Sequence, residues 1–154
     1  MATIQHIYIT PKKRGLMSEV DSADLEAGKG IVGDRYHMLA EQHIEQKMDV
    51  PENHVSFVAK EELDRFLSDN SSDLAYRDFR RSVVTSGVDL NALVGKQFKV
   101  GDAICFGFEL CEPCSFLAGL VHQAVLPGLI NRGGLRATII KSGTIAKGSK
   151  LEEV

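Results

Sequence analysis

Lys96-Gln97-Phe98-Lys99-Val100-Gly101-Asp102-Ala103-Ile104-Cys105-Phe106-Gly107-Phe108-Glu109-Leu110 alternates in character on both sides of Gly101-Asp102. A period of two belongs to a pleated strand, and a Gly-Asp pair between two such runs is a hairpin turn. The spacing predicts strands over Lys96 to Val100 and Ala103 to Leu110. In the second, Ile104, Phe106, Phe108 and Leu110 share the face expected to enter a core, while Cys105, Gly107, Glu109 and Cys111 share the other. Outward from this hairpin the same texture continues. Arg80 to Thr85 is a strand candidate, followed by Ser86-Gly87 and a turn over Leu90 to Leu93. Asn131-Arg132-Gly133-Gly134 is a turn into a strand over Leu135 to Lys141, and Thr144 to Val154 holds one or two closing strands around Lys147-Gly148. Met1 to Thr10 reads as a first strand, ended by the basic turn Thr10-Pro11-Lys12-Lys13-Arg14-Gly15.

Two helices are expected. Ser56 is placed to cap one over Phe57 to Leu67, with Phe57, Leu63, Phe66 and Leu67 on one side and Lys60, Glu61, Asp64 and Arg65 on the other. Ser115 caps the second, over Ser115 to Val125, which Pro127-Gly128 stops. Met38 to Asn53 is polar, a surface excursion that is helical in part and ends at Pro51. Short strands, glycine turns and two short helices predict a mainly β fold, a closed β-barrel with a few peripheral helices, as a single domain over residues 1–154.

Composition narrows the function classes. The chain has 154 residues, 44% apolar and 25% charged, with a net charge of −3. That balance suits a soluble globular domain and argues against a broad nucleic-acid footprint, which needs a positive surface. No apolar run approaches the ~20 residues that cross a bilayer, and the N-terminus lacks a signal core. Three cysteines, an odd number, fit a reducing cytoplasm better than a disulfide framework.

Two of those cysteines lie in Cys111-Glu112-Pro113-Cys114. Structural zinc would need a second closely spaced pair of ligands, which Cys105, His6, His37, His43, His54 and His122 do not supply. A thioredoxin-like redox pair belongs in a βαβ context, whereas the preceding residues read as antiparallel hairpins. A single functional thiol is the third possibility, and two buried, inert cysteines the fourth. Cys114 is the better candidate for the functional thiol, because the N-terminus of the following helix favours a thiolate. Arg80-Arg81, Arg132, Arg136 and Lys141 stand near turns, and an arginine after a glycine pair is suited to an oxyanion through its bidentate fork. Surface charge is the plain alternative for each of them. Gly33-Asp34-Arg35-Tyr36, taken alone, is a turn. His37 and His122 are general acid/base candidates by residue type only.

Several separate stretches together resemble the MOSC domain, the family related to the C-terminal domain of molybdenum-cofactor sulfurase. They are Gly30-Ile31-Val32-Gly33-Asp34-Arg35-Tyr36-His37, Phe79-Arg80-Arg81 through Gly87-Val88-Asp89-Leu90, Leu93 to Gly101, Cys111-Glu112-Pro113-Cys114, and Arg132-Gly133-Gly134-Leu135-Arg136-Ala137. Order and spacing agree over residues 28 to 154. The resemblance implies a β-barrel, with Cys114 as the cysteine that binds molybdenum or carries sulfur. It also implies that Arg80, Arg81, Arg132, Gly133, Gly134 and Arg136 bind the anionic pterin phosphate of a molybdopterin-type cofactor. Three positions depart from the family's pattern: Ser82 where Asn often follows the paired arginines, Gly148-Ser149 in place of Gly-Asp, and Ser115-Phe116-Leu117 after the cysteine.

The functions implied are a molybdenum-dependent reductase of N-hydroxylated compounds fed by a redox partner, or a carrier of persulfide or cofactor served by a sulfur-donor protein. A thiol–disulfide protein is a further alternative. The sulfur-generating domain of the larger sulfurases has no counterpart in these residues, so pyridoxal phosphate is not expected. Small-molecule substrate or cofactor, but neither nucleic acid nor membrane, is the expected partner.

Overall fold

The computed structural model describes residues 2–12, 15–69, 74–110 and 134–154. The chain begins with β1 (Thr3–Ile9), β2 (Ser18–Val20), β3 (Ser22–Glu26) and β4 (Gly30–Ile31), followed by α1 (Arg35–Glu45). Next come β5 (Val55–Ala59), α2 (Lys60–Asp69), a 3-10 turn over Tyr76–Phe79, and β6 (Val83–Ser86). A second 3-10 turn (Leu90–Leu93) leads to β7 (Gln97–Val100) and β8 (Ala103–Leu110), and the chain closes with β9 (Leu135–Lys141), β10 (Gly143–Ala146) and β11 (Leu151–Glu153). Among the described residues no helix is long and apolar enough to cross a membrane.

The expected closed barrel is not what forms. Eight strands make one sheet in the order β11-β7-β8-β9-β5-β6-β1-β2, and three make a second in the order β10-β3-β4. Both sheets are open, and the larger is mixed, because β5 and β6 run parallel. Near Thr3 and Lys150 the chain approaches itself through one isolated bridge and three backbone bonds, from the Leu151 N–H to the Ala2 carbonyl at 3.0 Å, the Ile4 N–H to the Ser149 carbonyl at 2.9 Å and the Gly148 N–H to the Ile4 carbonyl at 2.8 Å. That contact does not grow into a ladder. Hairpin patterns cannot reveal the parallel pair, since parallel strands need a crossover, here supplied by α2.

The β7–β8 hairpin forms where the alternation places it, with Val100 opposite Ala103 across a Gly101 at φ 54°. Its faces are the reverse of those expected. Ala103, Cys105 and Gly107 are buried, while Ile104, Phe106 and Phe108 are half-buried on the opposite face. The inner side of β8 has room only for small groups: a Cβ on Gly107 would lie 2.5 Å from the Leu93 carbonyl oxygen and 3.1 Å from Leu135. Interior volume is filled from across the sheet.

The helix expected over Phe57 to Leu67 is divided. Val55-Ser56-Phe57-Val58-Ala59 is a strand, buried along nearly all its length, and the helix starts only at Lys60. A run rich in β-branched and aromatic residues, paired on both sides, outweighs the helical spacing. In α2, Leu63 and Phe66 are the buried positions, and Glu61 and Glu62 occupy the first turn, where the helix dipole favours them.

Strand β5 separates two cores. Val55 and Phe57 join the larger one, with Ile4, Ile7, Val83, Phe98 and Leu135. Val58 joins the smaller one, in which Leu63 and Phe66 of α2 pack with Tyr8, Phe79 and Val84. Edge-on ring contacts anchor each: Phe57 with Phe98 at 5.4 Å and Phe66 with Phe79 at 5.5 Å.

Candidate functional site

Arg80 and Arg81 precede β6 and Arg136 lies in β9, the two strands that neighbour β5 in the sheet. The 3-10 turn over Tyr76–Phe79 buries Phe79 and leaves Arg80 in the left-handed region (φ 61°, ψ 32°) as β6 begins. Few non-glycine residues sit there, and such strain is retained where the surroundings enforce it. The Ser82 N–H donates to Ser56 Oγ at 3.0 Å, and the Tyr8 N–H donates to the Ser82 carbonyl at 2.7 Å. Across β5, Ser56 is opposite Arg136. Ser82 and Arg136 therefore lie on either side of β5, about 10 Å apart at ~4.8 Å per strand spacing, with Arg81 next to Ser82 in the lead into β6.

The described residues on either side of 111–133 are held by their neighbours in the sheet. Leu110, the last described residue before Cys111, pairs with Leu135, and Glu109 pairs with Arg136 and accepts a hydrogen bond from its Nη1 at 3.0 Å. Gly134, at φ 114°, starts β9 where no side chain fits, since a Cβ there would lie 2.0 Å from the Phe57 carbonyl oxygen. Cys111, Cys114, Arg132, Gly133, His122 and the expected helix over Ser115 to Val125 lie outside the described residues.

Arg80 turns toward a corner that the sequence suggested only as a turn. Asp34 occupies the N-cap position of α1 but caps nothing. Its Oδ1 instead accepts the Thr10 N–H at 3.0 Å and Arg35 Nη1 at 3.1 Å, while the Thr10 carbonyl accepts the Arg35 N–H at 2.7 Å. This exchange clamps the end of β1 to the start of α1. The Arg35 guanidinium stacks over Tyr36 at 4.4 Å, and Arg80 Nη1 donates to the Gly15 carbonyl. Burial, and then the like charge of Arg35, press the Arg80 guanidinium below its ordinary pKa, opposed by Tyr36 and Asp34. Arg35 is paired with the Asp34 carboxylate, while Arg80 is bonded to a backbone carbonyl. The quoted Gly30-to-His37 stretch contained these residues; only folding placed Arg80 beside them.

Other candidates are accounted for by their contacts. Cys105 is fully buried, and burial pushes its thiol up to about 12, so it is a packing atom. His37 is nearly buried, with Nε2 3.4 Å from Glu26 and Nδ1 3.3 Å from Glu41, so both ring nitrogens face carboxylates. His54 is buried with Nδ1 accepting the Ile139 N–H at 2.9 Å, and burial lowers its pKa. A cleft of about 410 Å³ opens beside the Asp34 corner, lined by Pro11, Arg35, Tyr36, Met38, Leu39 and Gln42. A second, of about 400 Å³, lies past the C-terminal ends of β5 and β6 and includes Glu61, Glu62, Gly87, Asp89 and Gly134.

The open, mixed β fold sets Arg80 and Arg81 ahead of β6 and Arg136 in β9, on the two sides of β5. The MOSC domain matches over residues 44–152, and the chain belongs to that family. The YuaD protein of Bacillus subtilis superposes with a TM-score of 0.82 at 18% identity, over 99% of this chain and 96% of that one. YiiM from Geobacillus stearothermophilus gives 0.73 at 16% identity over 100% and 75% of the two chains, and YiiM from Escherichia coli 0.69 at 18% over 99% and 69%. At these identities the likeness is one of fold. Comparison with curated proteins gives no match. Family membership ties the chain to molybdenum-cofactor chemistry at the level of the domain.

Proposed function

We propose that this protein binds a molybdopterin-type cofactor, with the Cys114 thiolate as metal ligand and Arg80, Arg81, Arg132, Gly133, Gly134 and Arg136 around its phosphate. One observation carries the proposal. Leu110, which precedes the cysteine motif, pairs with Leu135, between Gly134 and Arg136, one strand from Ser56 and two from Ser82. Leu110 and Leu135, which flank the stretch holding both motifs, are thus partners on adjacent strands. The donor set suits the group: guanidinium forks and backbone N–H groups for a phosphate, and a soft thiolate for molybdenum.

When bound, such a cofactor supplies two-electron redox chemistry, and the assigned reaction is reduction of N-hydroxylated compounds with electrons from a protein partner. The chain's own share is to hold the phosphate by its arginines, to fix the turn through Gly134, and to present a deprotonated sulfur.

The test is metal and pterin analysis after expression in a cofactor-producing host. Wild type is expected to carry both in near-stoichiometric amounts, and Cys114→Ser to lose molybdenum more than tenfold. Arg136→Ala is expected to lower pterin retention. Wild type without molybdenum or pterin, in a host that loads an established acceptor, overturns the proposal. A ~32 Da adduct on Cys114 after incubation with a cysteine desulfurase, in that metal-free protein, would assign it to sulfur carriage instead.

A further inference from the structure

Interior hydroxyls are costly unless they are hydrogen-bonded, and two of them, on Ser56 and Ser82, meet between β5 and β6. The parallel ladder joining these strands is in register from Phe57 opposite Val83 onward. Ser56 and Ser82 stand one residue ahead of it, and there a side chain stands in for the main chain. Ser56 Oγ accepts the Ser82 N–H at 3.0 Å and lies 3.4 Å from Ser82 Oγ. On the opposite side the Ser82 carbonyl accepts the Tyr8 N–H at 2.7 Å. Both backbone groups of Ser82 are therefore held, one from β1 and one by the Ser56 hydroxyl. Around Ser56 the strand fills the cores with Val55, Phe57 and Val58. A serine among them buries little apolar surface, so its hydroxyl rather than its packing accounts for the residue.

What Ser82 holds in place is the pair of residues before it. Phe79 is fixed in the smaller core, Ser82 is fixed by its two bonds, and only Arg80 and Arg81 lie between them. Arg80 is in the left-handed region (φ 61°, ψ 32°), a conformation that relaxes unless both ends of the segment are restrained. Without Ser56 Oγ, the Ser82 N–H either stays buried with no acceptor or moves toward water, and the second course frees Arg80 and Arg81. Ser56 also has Arg136 as its partner across β5 and β9, so these two side chains leave the same face of the sheet. One hydroxyl is thus bonded to the first arginine-bearing segment and in register with the second.

We propose that Ser56 is a positioning residue for the anion site: by accepting the Ser82 N–H it fixes the Arg80-Arg81 segment relative to Arg136. Ser56 is not a ligand in this scheme and acts through the Ser82 backbone. The proposal rests on the cofactor assignment above for what the arginines bind, and on the hydrogen bonds alone for what Ser56 holds.

Amide hydrogen exchange tests the hold, and pterin retention after expression in a cofactor-producing host tests its consequence. In Ser56→Ala the Ser82 amide should exchange at least about tenfold faster than in wild type, with the amides of β8 and β9 unchanged. The folded variant should retain pterin at least about threefold less well. Ser56→Thr keeps the hydroxyl and should restore both. Ser82→Ala keeps the N–H and should retain pterin to within about twofold of wild type. In an Arg80→Ala, Arg81→Ala background, where Cys114, Arg132 and Arg136 still hold the cofactor, Ser56→Ala should lower retention no further. A general loosening of the fold would instead remove the same factor in both backgrounds. If Ser56→Ala does not fold, Ser56→Cys, similar in size and a poorer acceptor, takes its place. Unchanged exchange at Ser82, unchanged retention in Ser56→Ala, or an equal loss with and without the two arginines overturns the proposal. Faster Ser82 exchange in Ser56→Ala, when wild type loads no pterin, defeats the cofactor assignment and leaves Ser56 as the holder of this segment. Unchanged exchange, when wild type loads pterin, does the reverse.

Discussion

The two cores on either side of β5 are built by different means. The larger takes much of its volume from the antiparallel neighbours β7, β8 and β9, whose register follows turns such as Gly101-Asp102, and adds Ile4, Ile7, Val55, Phe57 and Val83 to them. The smaller depends on a crossover, in which β5 feeds α2 and the chain returns through the Tyr76–Phe79 turn to a parallel β6. Local turn chemistry specifies the first. The second forms only when segments some 25 residues apart meet, as in the pairing of Val58 with Val84. That second region carries Arg80, Arg81 and Ser82, so the connection that is hardest to foresee is also the one that places the candidate site.

The largest disturbance should come from the seam between the two. Gly134→Ala forces a side chain into the Phe57 carbonyl at a backbone angle that disfavours one, and should cost about 3 kcal/mol or more in urea unfolding. Phe57→Ala, in the larger core, should cost about 3–5 kcal/mol, and Phe66→Ala, in the smaller, a similar or slightly lower amount. If fluorescence and far-ultraviolet circular dichroism give coincident transitions for both variants, the two cores unfold together. Separate transitions for Phe66→Ala alone would make the crossover an independent unit.

A smaller effect follows pH. Burial holds the His54 pKa below its unfolded value, and its neutral Nδ1 accepts the Ile139 N–H. Between the folded and unfolded pKa values the unfolded chain binds more protons, so this contribution is complete above about pH 6.5 and is lost as pH falls below it. His54→Gln should flatten that part of the stability profile, measured by unfolding across the acid range. The smallest effect is expected at Cys105. With its thiol pushed up to about 12 and fully buried, it should resist alkylation in the native protein and react only on unfolding, as peptide mass mapping would show.

Much of the strand pattern was legible in the sequence, and the reasons are local. Ala103 to Leu110 and Leu135 to Lys141 alternate between marked turns, and both strands have the expected bounds. The facing of β8 was not legible. Alternation shows that two faces differ, but which one turns inward depends on the volume already taken by Leu93 and Leu135. Ser56 has a comparable history: it suits a helix cap by residue type, yet in β5 its hydroxyl accepts the Ser82 N–H instead. Arg80, Arg81 and Arg136 were visible as arginines near turns, whereas the clamp that Asp34 and Arg35 make on β1 was not.

By itself, then, the sequence determined the β7–β8 hairpin, the bounds of β8 and β9 and the MOSC resemblance, because turns, alternation and motifs act over a few neighbouring residues. Tertiary structure alone decided that the sheets stay open, that β5 and β6 run parallel, which face of β8 is inside, and that Ser56 lies between Ser82 and Arg136. Those outcomes depend on volume, crossover direction and hydrogen bonding between segments far apart in the chain.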